Sequence, residues 1–511
     1  MTHEWRAGEV NEAGLAVVAA YLALIAGPGD VVALRGDLGA GKTTFARELL
    51  RALSDGRITE VPSPTFSLLQ TYETGRLTVH HLDCYRMRSA AELAELGFEE
   101  LAASGLVLME WPERVEGLLP ADRLDVVLAD GATSELRLLS LVGTGAFAAR
   151  LARLEAMHGF ASGAGWAGIL PDFLQGDASS RAYSRLRTGD RRAILMDSPR
   201  RPDGPPIRNG KSYSAIAHLA EDVGAFVAVA SALRGLGLSA PAIEAADLGR
   251  GFLLIEDLGD RVFSRQIASG VPIADLYRPA VELLVELRRH RLAPELPIPG
   301  GGTHHVAHYD QDALGIEIEL MTDWYWCAAK GGTVPADALA MFLGHWRPLL
   351  ESVSTIEDGW VLRDFHSPNL ISQPEREGLR QVGLIDFQDA MRGHPAYDLV
   401  SLLQDARLTV PAATEQALLD HYCRLSAAGG AFDPAQFRFA YAILGAQRNT
   451  KILGIFARLS MRDGKHGYLA HIPRIWEYLV RDLAHPGLGE LRSWYDTSFP
   501  VAIRTLQIGN R

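Results

Sequence analysis

A glycine-rich segment near the start of the chain constrains the fold of its first part. Gly36–Thr43 reads GDLGAGKT and satisfies the pattern GxxxxGK[ST], between the apolar run VVAL (Val31–Leu34) and the helical pattern TTFARELLRAL. In this context the glycines let backbone N–H groups curl around phosphate oxygens at a helix N-terminus, whose dipole favours the anion. The segment predicts a P-loop nucleotide-binding domain of α/β architecture.

The P-loop pattern also assigns roles to single residues. Lys42 is expected to reach the β- and γ-phosphates, and the Thr43 hydroxyl to ligate magnesium. The predicted nucleotide-binding residues are Gly36, Asp37, Leu38, Gly39, Ala40, Gly41, Lys42, Thr43 and Thr44. No NKxD-like guanine-reading segment precedes residue 148, so ATP is favoured over GTP.

Two acids are predicted to complete this magnesium site. Glu110 ends the apolar run LVLME, and Asp83 stands in HHLDCYR. A carboxylate at the exit of a buried strand is costly without a cation or a hydrogen-bond partner. Glu110 is also the predicted catalytic residue of this domain. For Asp83, a role as a turn or cap residue stays open.

The chain is predicted to contain two domains, since single cores stop growing at roughly 250 to 300 residues and this chain has 511. Helix-like and strand-like runs alternate from residue 10 to 142, with a hairpin around ETGR. The Gly-rich segment Gly143–Gly168 follows; it contains one amphipathic stretch and does not look rigid. We predict a P-loop domain over 1–148 and a second domain over 149–511.

A second constellation of polar residues lies in the later part of the chain. Asp364 and Asn369 occur in RDFHSPN after the apolar run WVL, and Asp386 follows in GLIDFQDA. These spacings match the catalytic and metal loops of kinases. Asp364 would accept the proton of the attacking hydroxyl, and Asn369 and Asp386 would hold magnesium. Asp398 in YDLVSLL is interpreted as a helix cap or loop anchor.

The second domain reads as α+β, with a small sheet-bearing lobe over about 165–260 and a helical lobe over about 261–511. GDASSRAYSRL suits a phosphate-covering loop with Ser179, Ser180 and Arg181 as cofactor-binding residues, although a polar surface turn would fit as well. Kinases usually carry a lysine on the third strand of this lobe, where Met196 stands here. The basic residues that could substitute for it are Arg181, Arg185 and Lys211.

The first domain resembles the TsaE family, which assists the enzyme complex that adds threonylcarbamoyl to adenosine in tRNA. The matching segments are GDLGAGKTT, SPTFSL, HLDCYR, ELGFEE and MEWPER. The resemblance implies an ATPase in which Lys42 and Thr43 hold phosphates and magnesium, while Asp83 and Glu110 serve the metal and hydrolysis. It places Thr65 in a nucleotide-sensing loop. Proteins of the threonylcarbamoyl-transferase complex are the implied partners.

The second domain resembles the aminoglycoside and choline phosphotransferase superfamily, and within it the AmgK branch of anomeric sugar kinases. The shared segments are GDASSRAY, ILMDSP, IEDLGD, RDFHSPNL and IDFQDAMRGHPAYDLVSLL. The resemblance implies phosphorylation of N-acetylmuramate and N-acetylglucosamine in cell-wall recycling, with ATP and Mg²⁺ as cofactors. Our interpretation of the whole chain is an α/β P-loop ATPase followed by an α+β bilobal kinase.

Two alternatives for the second domain stay open. It could be a pseudokinase that binds nucleotide and regulates the first domain. It could also phosphorylate an aminoglycoside, choline or another hydroxyl compound; a cationic acceptor would need acids such as Glu317, Glu319 and Asp323. The histidines of HHVAH, His304, His305 and His308, are interpreted as loop residues.

Composition limits the partners and the compartment. A net charge of −12 argues against a dedicated nucleic-acid-binding face, so any tRNA is expected to be held by a partner protein. The three cysteines show no CxxC pairing, which fits a reducing cytoplasm. The apolar stretch AGLAVVAAYLALIA follows acidic residues and is short for a membrane span, so we predict a packed first helix and no membrane association.

Overall fold

The chain folds into two compact units of the backbone. The structure is a computed structural model that describes residues 1–174 and 181–504. The first unit comprises Met1–Pro199 together with Glu244–Asp257, and the second comprises Arg200–Ile243 together with Leu258–Arg511. The domain boundary at residue 148 stays a prediction.

The first unit contains two sheets and five described helices. Its strands are β1 (Thr2–Val10), β2 (Val31–Arg35), β3 (Leu69–Glu73), β4 (Thr78–Asp83), β5 (Leu106–Glu110), β6 (Arg123–Asp130), β7 (Arg137–Thr144), β8 (Asp172–Leu174), β9 (Ala182–Thr188), β10 (Arg191–Asp197), β11 (Ile243–Asp247) and β12 (Phe252–Glu256). Its helices are α1 (Glu12–Ile25), α2 (Lys42–Leu53), α3 (Ala90–Glu95), α4 (Phe98–Ser104) and α5 (Ala146–Ala161).

The larger sheet brings the ends of three parallel strands to one edge. Its order is β1-β7-β6-β2-β5-β4-β3, and β2 runs parallel to β5 and β6, as β4 does to β5. The apolar residues of β2 and β5 are buried, as expected for strands covered on both faces. The P-loop follows β2, and Asp83 and Glu110 end β4 and β5. The predicted α/β architecture of the first domain is confirmed.

The smaller sheet of the first unit has the order β11-β12-β10-β9-β8. Its β9 and β10 form a hairpin around TGD, and β12 lies within the apolar run GFLLIED. Met196 lies on β10 between Tyr183 of β9 and Leu253 of β12, and its side chain is buried. Met196 therefore contributes apolar packing at the strand position where a kinase lysine was expected.

Helix α5 contradicts the expectation that the Gly-rich segment is not rigid. Its residues Leu151, Leu154 and Met157 are buried, at the spacing of one helix face. Arg150 makes an ion pair with Asp30, with Nη1 and Oδ1 2.6 Å apart. The apolar core that contains these leucines also includes Phe252 of the smaller sheet. Gly145 precedes the helix and Gly159 lies inside it without interrupting it, so this part of the segment is a packed element of the first unit.

The second unit is mostly helical. Its helices are α6 (Tyr213–Ile216), α7 (Val223–Gly235), α8 (Phe263–Ala268), α9 (Ile273–Arg289), α10 (Gln311–Leu320), α11 (Trp326–Lys330), α12 (Ala336–Ile356), α13 (Ala396–Leu403), α14 (Ala412–Ala428), α15 (Pro434–Asp463), α16 (Ile472–Leu483) and α17 (Gly489–Ser498). Its short strands are β13 (Glu295–Pro297), β14 (Thr303–His305), β15 (Gly359–Val361), β16 (Leu370–Ser372), β17 (Val382–Leu384) and β18 (Met391–Gly393). They pair antiparallel as β13–β14, β15–β18 and β16–β17.

The two short sheets β15–β18 and β16–β17 hold the polar motifs of the second unit. The segment between β15 and β16 contains Asp364 and Asn369, and Asp386 follows β17. Leu370 pairs with Leu384, so Asn369 and Asp386 lie at neighbouring strand ends.

Within residues 1–174 and 181–504, no helix combines the length and the apolar character needed to cross a bilayer.

The packing of α5 predicts a measurable stability cost. Leu154→Ala removes a fully buried side chain from the core of the first unit, so we expect the free energy of unfolding of that unit to fall by about 2–5 kcal/mol. Leu138→Ala on β7 is the matched control, because Leu138 is 48% exposed and should change stability by no more than about 0.5 kcal/mol. Urea denaturation of the full chain measures both; equal losses would mean that α5 does not stabilise the unit.

Candidate functional site

The P-loop backbone adopts conformations that require glycine. Gly36 has φ 144° and Gly41 has φ 100°, both in the region that L-residues rarely enter. A Cβ atom on Gly36 would lie 2.3 Å from the carbonyl oxygen of Leu128. Arg137 Nε donates to the Ala40 carbonyl oxygen at 3.1 Å. The residues at the exposed tip of the loop are Asp37, Leu38 and Gly39.

Lys42 is held against the loop that the phosphates would occupy. Its Nζ donates to the carbonyl oxygens of Gly36 and Asp37, at 2.7 and 2.8 Å. The same ammonium lies 3.7 Å from the centroid of the Trp111 ring, a favourable cation–π distance. Burial lowers the pKa of Lys42, although Glu110 partly opposes this effect. The P-loop carbonyl oxygens and the Trp111 ring therefore fix the position of the Lys42 ammonium.

Glu110 lies at the centre of the first site. Both of its carboxylate oxygens accept from Thr43 Oγ1, at 2.9 and 3.0 Å, and Oε1 also lies 3.0 Å from His81 Nε2. The carboxylate is 2% exposed. Thr43 and Glu110, predicted from separate motifs, are thus in direct contact. His81 belongs to the motif HLDCYR but was not assigned a role from the sequence.

Asp83 joins this group from the neighbouring strand. Its Oδ2 accepts from Ser63 Oγ at 2.7 Å and from Thr65 Oγ1 at 2.9 Å, and its Oδ1 accepts from the backbone N–H of Tyr85 at 2.9 Å. Asp83 and Glu110 are paired in the register of β4 and β5. The turn role left open for Asp83 is therefore present, and the predicted sensing residue Thr65 contacts the predicted metal ligand.

The donor set of the first site suits magnesium. Thr43, Asp83 and Glu110 offer only oxygen ligands, and Mg²⁺ is usually bound through one or two carboxylates plus substrate phosphates. Among the described residues no group of three or more His, Cys, Asp or Glu side chains forms a self-sufficient metal site. Thr44 follows Thr43 in the first turn of α2.

The polar motifs of the second unit converge on Asn369. Its Nδ2 donates to the backbone oxygen of Asp364 at 3.0 Å and to Asp386 Oδ2 at 3.3 Å. Gln388 Nε2 donates to Asp386 Oδ1 at 3.1 Å. The Asp364 side chain is 41% exposed, so it is accessible to an acceptor. Arg363 and Asp386 have left-handed φ angles of 72° and 60°, which is uncommon for non-glycine residues and typical of constrained functional loops.

Asp398 is the buried anchor of the Asp364 loop. Its Oδ2 accepts from the backbone N–H of Leu362 at 2.6 Å, and its Oδ1 accepts from that of Arg363 at 2.9 Å. Burial raises the pKa of Asp398 to about 7, against the effect of these two donors. The prediction of a loop anchor is confirmed.

A buried carboxylate stabilises the same loop from the other side. Glu317 on α10 is fully buried and is contacted by Arg363, by Lys451 Nζ at 2.7 Å, by the Tyr309 hydroxyl and by Gln447 Nε2 at 3.1 Å. Burial alone would raise the pKa of Glu317, but the two cations outweigh it and hold the pKa at about 2. This network was not predicted, because Lys451 lies 134 residues from Glu317 in the sequence.

The predicted cofactor-binding residues of the kinase domain, and the basic residues suggested to replace its lysine, lie at different places in the chain. Ser179 and Ser180 lie outside the described residues, and Arg181 directly precedes β9. Arg185 on β9 forms a buried ion pair with Asp257, with Nε and Oδ2 2.8 Å apart. Lys211 is exposed in the second unit.

The interpretation of the HHVAH histidines as loop residues is wrong for two of the three. His304 and His305 form part of β14, whereas His308 lies beyond that strand and its Nε2 is 3.3 Å from Asp358 Oδ1. In the described part of the chain no metal-ligating cluster includes them.

Comparisons with known proteins match the two parts of the chain separately. The family model for threonylcarbamoyl adenosine biosynthesis protein TsaE matches residues 10–137, and that for the phosphotransferase enzyme family matches residues 172–439. A TsaE protein of Rickettsia felis is 46% identical over 118 residues, which cover 23% of this chain and 68% of that protein. An N-acetylmuramate/N-acetylglucosamine kinase of Caulobacter vibrioides is 40% identical over 361 residues, covering 69% of this chain and 98% of that protein. The chain belongs to the TsaE family in its first part and to the phosphotransferase enzyme family in its second.

A further relative agrees with this assignment. An N-acetylmuramate/N-acetylglucosamine kinase of Pseudomonas aeruginosa is 33% identical over 335 residues, covering 64% of this chain and 89% of that protein. Both resemblances read from the motifs are confirmed, as are the fold classes predicted from them. The chain is an enzyme that joins a P-loop ATPase to a phosphotransferase.

The Glu317 network predicts a pH-dependent contribution to stability. The pKa of Glu317 falls from 4.5 to about 2 on folding, so its contribution is present above about pH 4.5 and is lost as the pH falls towards 2. Glu317→Gln should lower the free energy of unfolding at pH 7 by about 3–5 kcal/mol, because two buried cations lose their partner. The loss should shrink at pH 3.

Urea denaturation at pH 7 and pH 3 measures this difference. Glu319→Gln is the control: Glu319 is 20% exposed and pairs with Arg208, which is 43% exposed, so its loss should cost no more than about 1 kcal/mol. A Glu317→Gln cost that is the same at both pH values would contradict the assigned ionisation.

Proposed function

We propose that this chain carries two ATP-dependent activities. Its first domain, over residues 1–148, is an ATPase that assists tRNA threonylcarbamoyladenosine formation. Its second domain, over 149–511, phosphorylates a sugar hydroxyl, most specifically the anomeric hydroxyl of N-acetylmuramate or N-acetylglucosamine. The observation that supports the kinase activity best is the convergence of Asp364, Asn369 and Asp386, with Asn369 Nδ2 3.3 Å from Asp386 Oδ2. The named kinase relatives suggest the acceptor.

In the proposed kinase reaction the protein positions charge and removes one proton. Asp364 accepts the proton of the attacking sugar hydroxyl as the bond from that oxygen to the γ-phosphorus forms and the bond to ADP breaks. Asn369 and Asp386 would hold Mg²⁺, which neutralises the charge on the phosphates. Asp398 keeps the Asp364 loop in place through the backbone N–H groups of Leu362 and Arg363.

The charge distribution of the helical lobe supports a neutral or anionic acceptor over a cationic one. Of the acids suggested for a cationic acceptor, Glu317 is neutralised by Arg363 and Lys451, and Glu319 is paired with Arg208. Burial raises the pKa of Asp323, which disfavours its charged form. An aminoglycoside or choline would therefore find little available negative charge at these positions.

One cation in the same lobe suits an acidic sugar. The guanidinium carbon of Arg458 on α15 lies 5.8 Å from the centroid of the Tyr213 ring, and its buried Nε has no hydrogen-bond partner among the described residues. Tyr213 begins α6, and the residue after that helix, Ala217, accepts from Arg363 Nη1 at 2.9 Å. Arg458 is thus linked through α6 to the residue that precedes Asp364. A carboxylate such as that of N-acetylmuramate would supply its missing partner.

The first site supports ATP hydrolysis assisted by magnesium. Lys42 would bind the β- and γ-phosphates, Thr43 and Asp83 would hold the metal, and Glu110 would serve the metal and the attacking water. The partners we propose are proteins of the threonylcarbamoyl-transferase complex, which would hold the tRNA, because the net charge of −12 disfavours direct binding. Both activities would operate in a reducing cytoplasm, where Cys84, Cys327 and Cys423 stay unpaired.

A nucleotide-binding pseudokinase is the second candidate for the later domain. The observation in its favour is Met196, a buried apolar residue at the strand position where kinases carry a phosphate-pairing lysine. Such a module would bind nucleotide and transfer no phosphate.

Removal of the P-loop lysine tests the first activity. Lys42→Ala should lower ATP hydrolysis by at least about 100-fold, because the β- and γ-phosphates lose the ammonium that stabilises their charge. The assay uses the full chain carrying Asp364→Asn, with the threonylcarbamoyl-transferase partners present, so that the second domain consumes no ATP. Arg51→Ala, an exposed change on the same helix, is the control and should retain activity. Unchanged turnover in Lys42→Ala would refute the site.

Removal of the proposed general base tests the second activity. Asp364→Asn should lower phosphate transfer to the sugar by about 100-fold or more. Mass spectrometry of reactions with N-acetylmuramate, N-acetylglucosamine, kanamycin and choline identifies the acceptor. Asp358→Asn, six residues upstream and bonded to His308, is the matched control and should retain activity. Phosphorylation of kanamycin or choline alone would change the acceptor class, and no transfer to any compound would favour the pseudokinase.

A further inference from the structure

His81 is a fully buried residue of the first site that neither the motif analysis nor the proposed reaction assigns. It lies on β4 two residues before Asp83, and therefore on the same face of the strand. Its Nε2 lies 3.0 Å from Glu110 Oε1. We propose that His81 is a positioning residue that holds the Glu110 carboxylate in its working orientation for ATP hydrolysis. This inference rests on the ATPase activity proposed for the first domain.

The surroundings of the imidazole indicate which nitrogen carries the proton. An ionised carboxylate only accepts hydrogen bonds, so His81 Nε2 must donate to Glu110. His81 Nδ1 is buried and has no partner among the described residues. A proton on Nδ1 would leave a buried donor unsatisfied, which costs more than an unpaired acceptor lone pair. The geometry therefore places the proton on Nε2, where it is donated to Glu110.

Two donors on different elements define the plane of the Glu110 carboxylate. Thr43 Oγ1 approaches both oxygens from the P-loop helix α2, and His81 approaches Oε1 from β4. Thr43 has a second duty as the predicted magnesium ligand, whereas His81 has no other partner in the described structure. Loss of His81 would leave Glu110 dependent on a residue that must also serve the metal. A carboxylate misplaced by about 1 Å is enough to slow catalysis about 100-fold.

The neighbouring histidine provides an internal control. His80 points to the other face of β4, where Nδ1 lies 3.1 Å from Thr71 Oγ1 and Nε2 lies 3.1 Å from Ser104 Oγ. Its side chain is also buried, at 6% exposure. His80 therefore matches His81 in residue type, strand and burial, but does not contact the first site. A loss of activity shared by substitutions of His80 and His81 would come from damage to the strand. A loss confined to His81 would come from its contact with Glu110.

The test compares hydrolysis with nucleotide binding in full-length Asp364→Asn protein. His81→Leu should lower kcat for ATP hydrolysis by about 10- to 100-fold, while the Kd for ATP stays within about threefold, because Lys42 and the P-loop are intact. His81→Gln, whose side-chain amide can donate to Glu110, should recover most of the rate. His80→Leu should keep the parent rate per folded molecule. A His81→Leu rate equal to the parent rate, or equal to that of His80→Leu, would overturn the proposal.

A second measurement does not depend on turnover. Nitrogen chemical shifts of the histidine rings in nucleotide-free, magnesium-free protein, assigned by comparison with His81→Gln, should show His81 protonated at Nε2 and bare at Nδ1. A proton on Nδ1 would overturn the proposal, because Nε2 could then not donate to Glu110. If the parent shows no hydrolysis that depends on Lys42, the proposed ATPase function fails, and this tautomer still decides whether His81 holds Glu110.

Discussion

Carboxylates at the ends of buried strands are the constraint on which both sites depend. Desolvating a carboxylate is costly unless donors or cations surround it. In the first unit Glu110 is held by Thr43 and His81, and Asp83 by Ser63 and Thr65. In the second unit, Asn369 and Gln388 donate to the carboxylate of Asp386. The same donors that make burial tolerable also fix these oxygens where a cation and a phosphate can use them.

The positions of the two sites follow from how short loops leave buried strands. In the first unit, parallel strands place the P-loop, Asp83 and Glu110 at one edge of the sheet, although they lie far apart in sequence. In the second unit, the short β16–β17 sheet brings Asn369 and Asp386 together, and Asp398 holds the Asp364 loop by its backbone. Sheets of different topology in the two units thus place oxygen ligands where they could surround phosphates.

Helix α5 bears on why two families share one chain. Its buried face belongs to an apolar core that includes β2 of the larger sheet and Phe252 of the smaller one. Arg150 pairs with Asp30, and Arg153 Nε donates to Asp197 Oδ1 at 3.0 Å. The helix therefore fastens both sheets within the first unit. Cleavage near residue 148 would cut this helix, so it is not a neutral place to separate the two activities.

Much of the fold and most of the candidate site could be predicted from local sequence. The run LVLME is a strand with the predicted bounds, and the P-loop motif has the expected strand before it and helix after it. The spacing of Asp364, Asn369 and Asp386 was sufficient to place them together. These features are predictable because strand periodicity, glycine conformation and motif spacing act over a few residues.

Other features depend on contacts between distant residues and could not be predicted. The edge strand β1 pairs with β7, whose residues follow their partners by 127 to 142 positions, and has a bulge between Arg6 and Gly8 that disturbs its alternation. The interpretation of α5 as a non-rigid segment failed because flanking glycines suggested a linker, whereas tertiary packing maintains the helix. The sequence around Glu317 is that of an ordinary helix-surface acid, whereas in the structure Glu317 pairs with Arg363 and Lys451.

The proposed function requires two separate nucleotide-phosphate sites on one chain. Calorimetric titration of the full chain with a non-hydrolysable ATP analogue and magnesium counts these sites. We expect two nucleotides bound per chain, with one site lost in Lys42→Ala and the other weakened in Asp386→Asn, each variant leaving the other site unchanged. A single nucleotide per chain, or one substitution that abolishes both binding events, would contradict it.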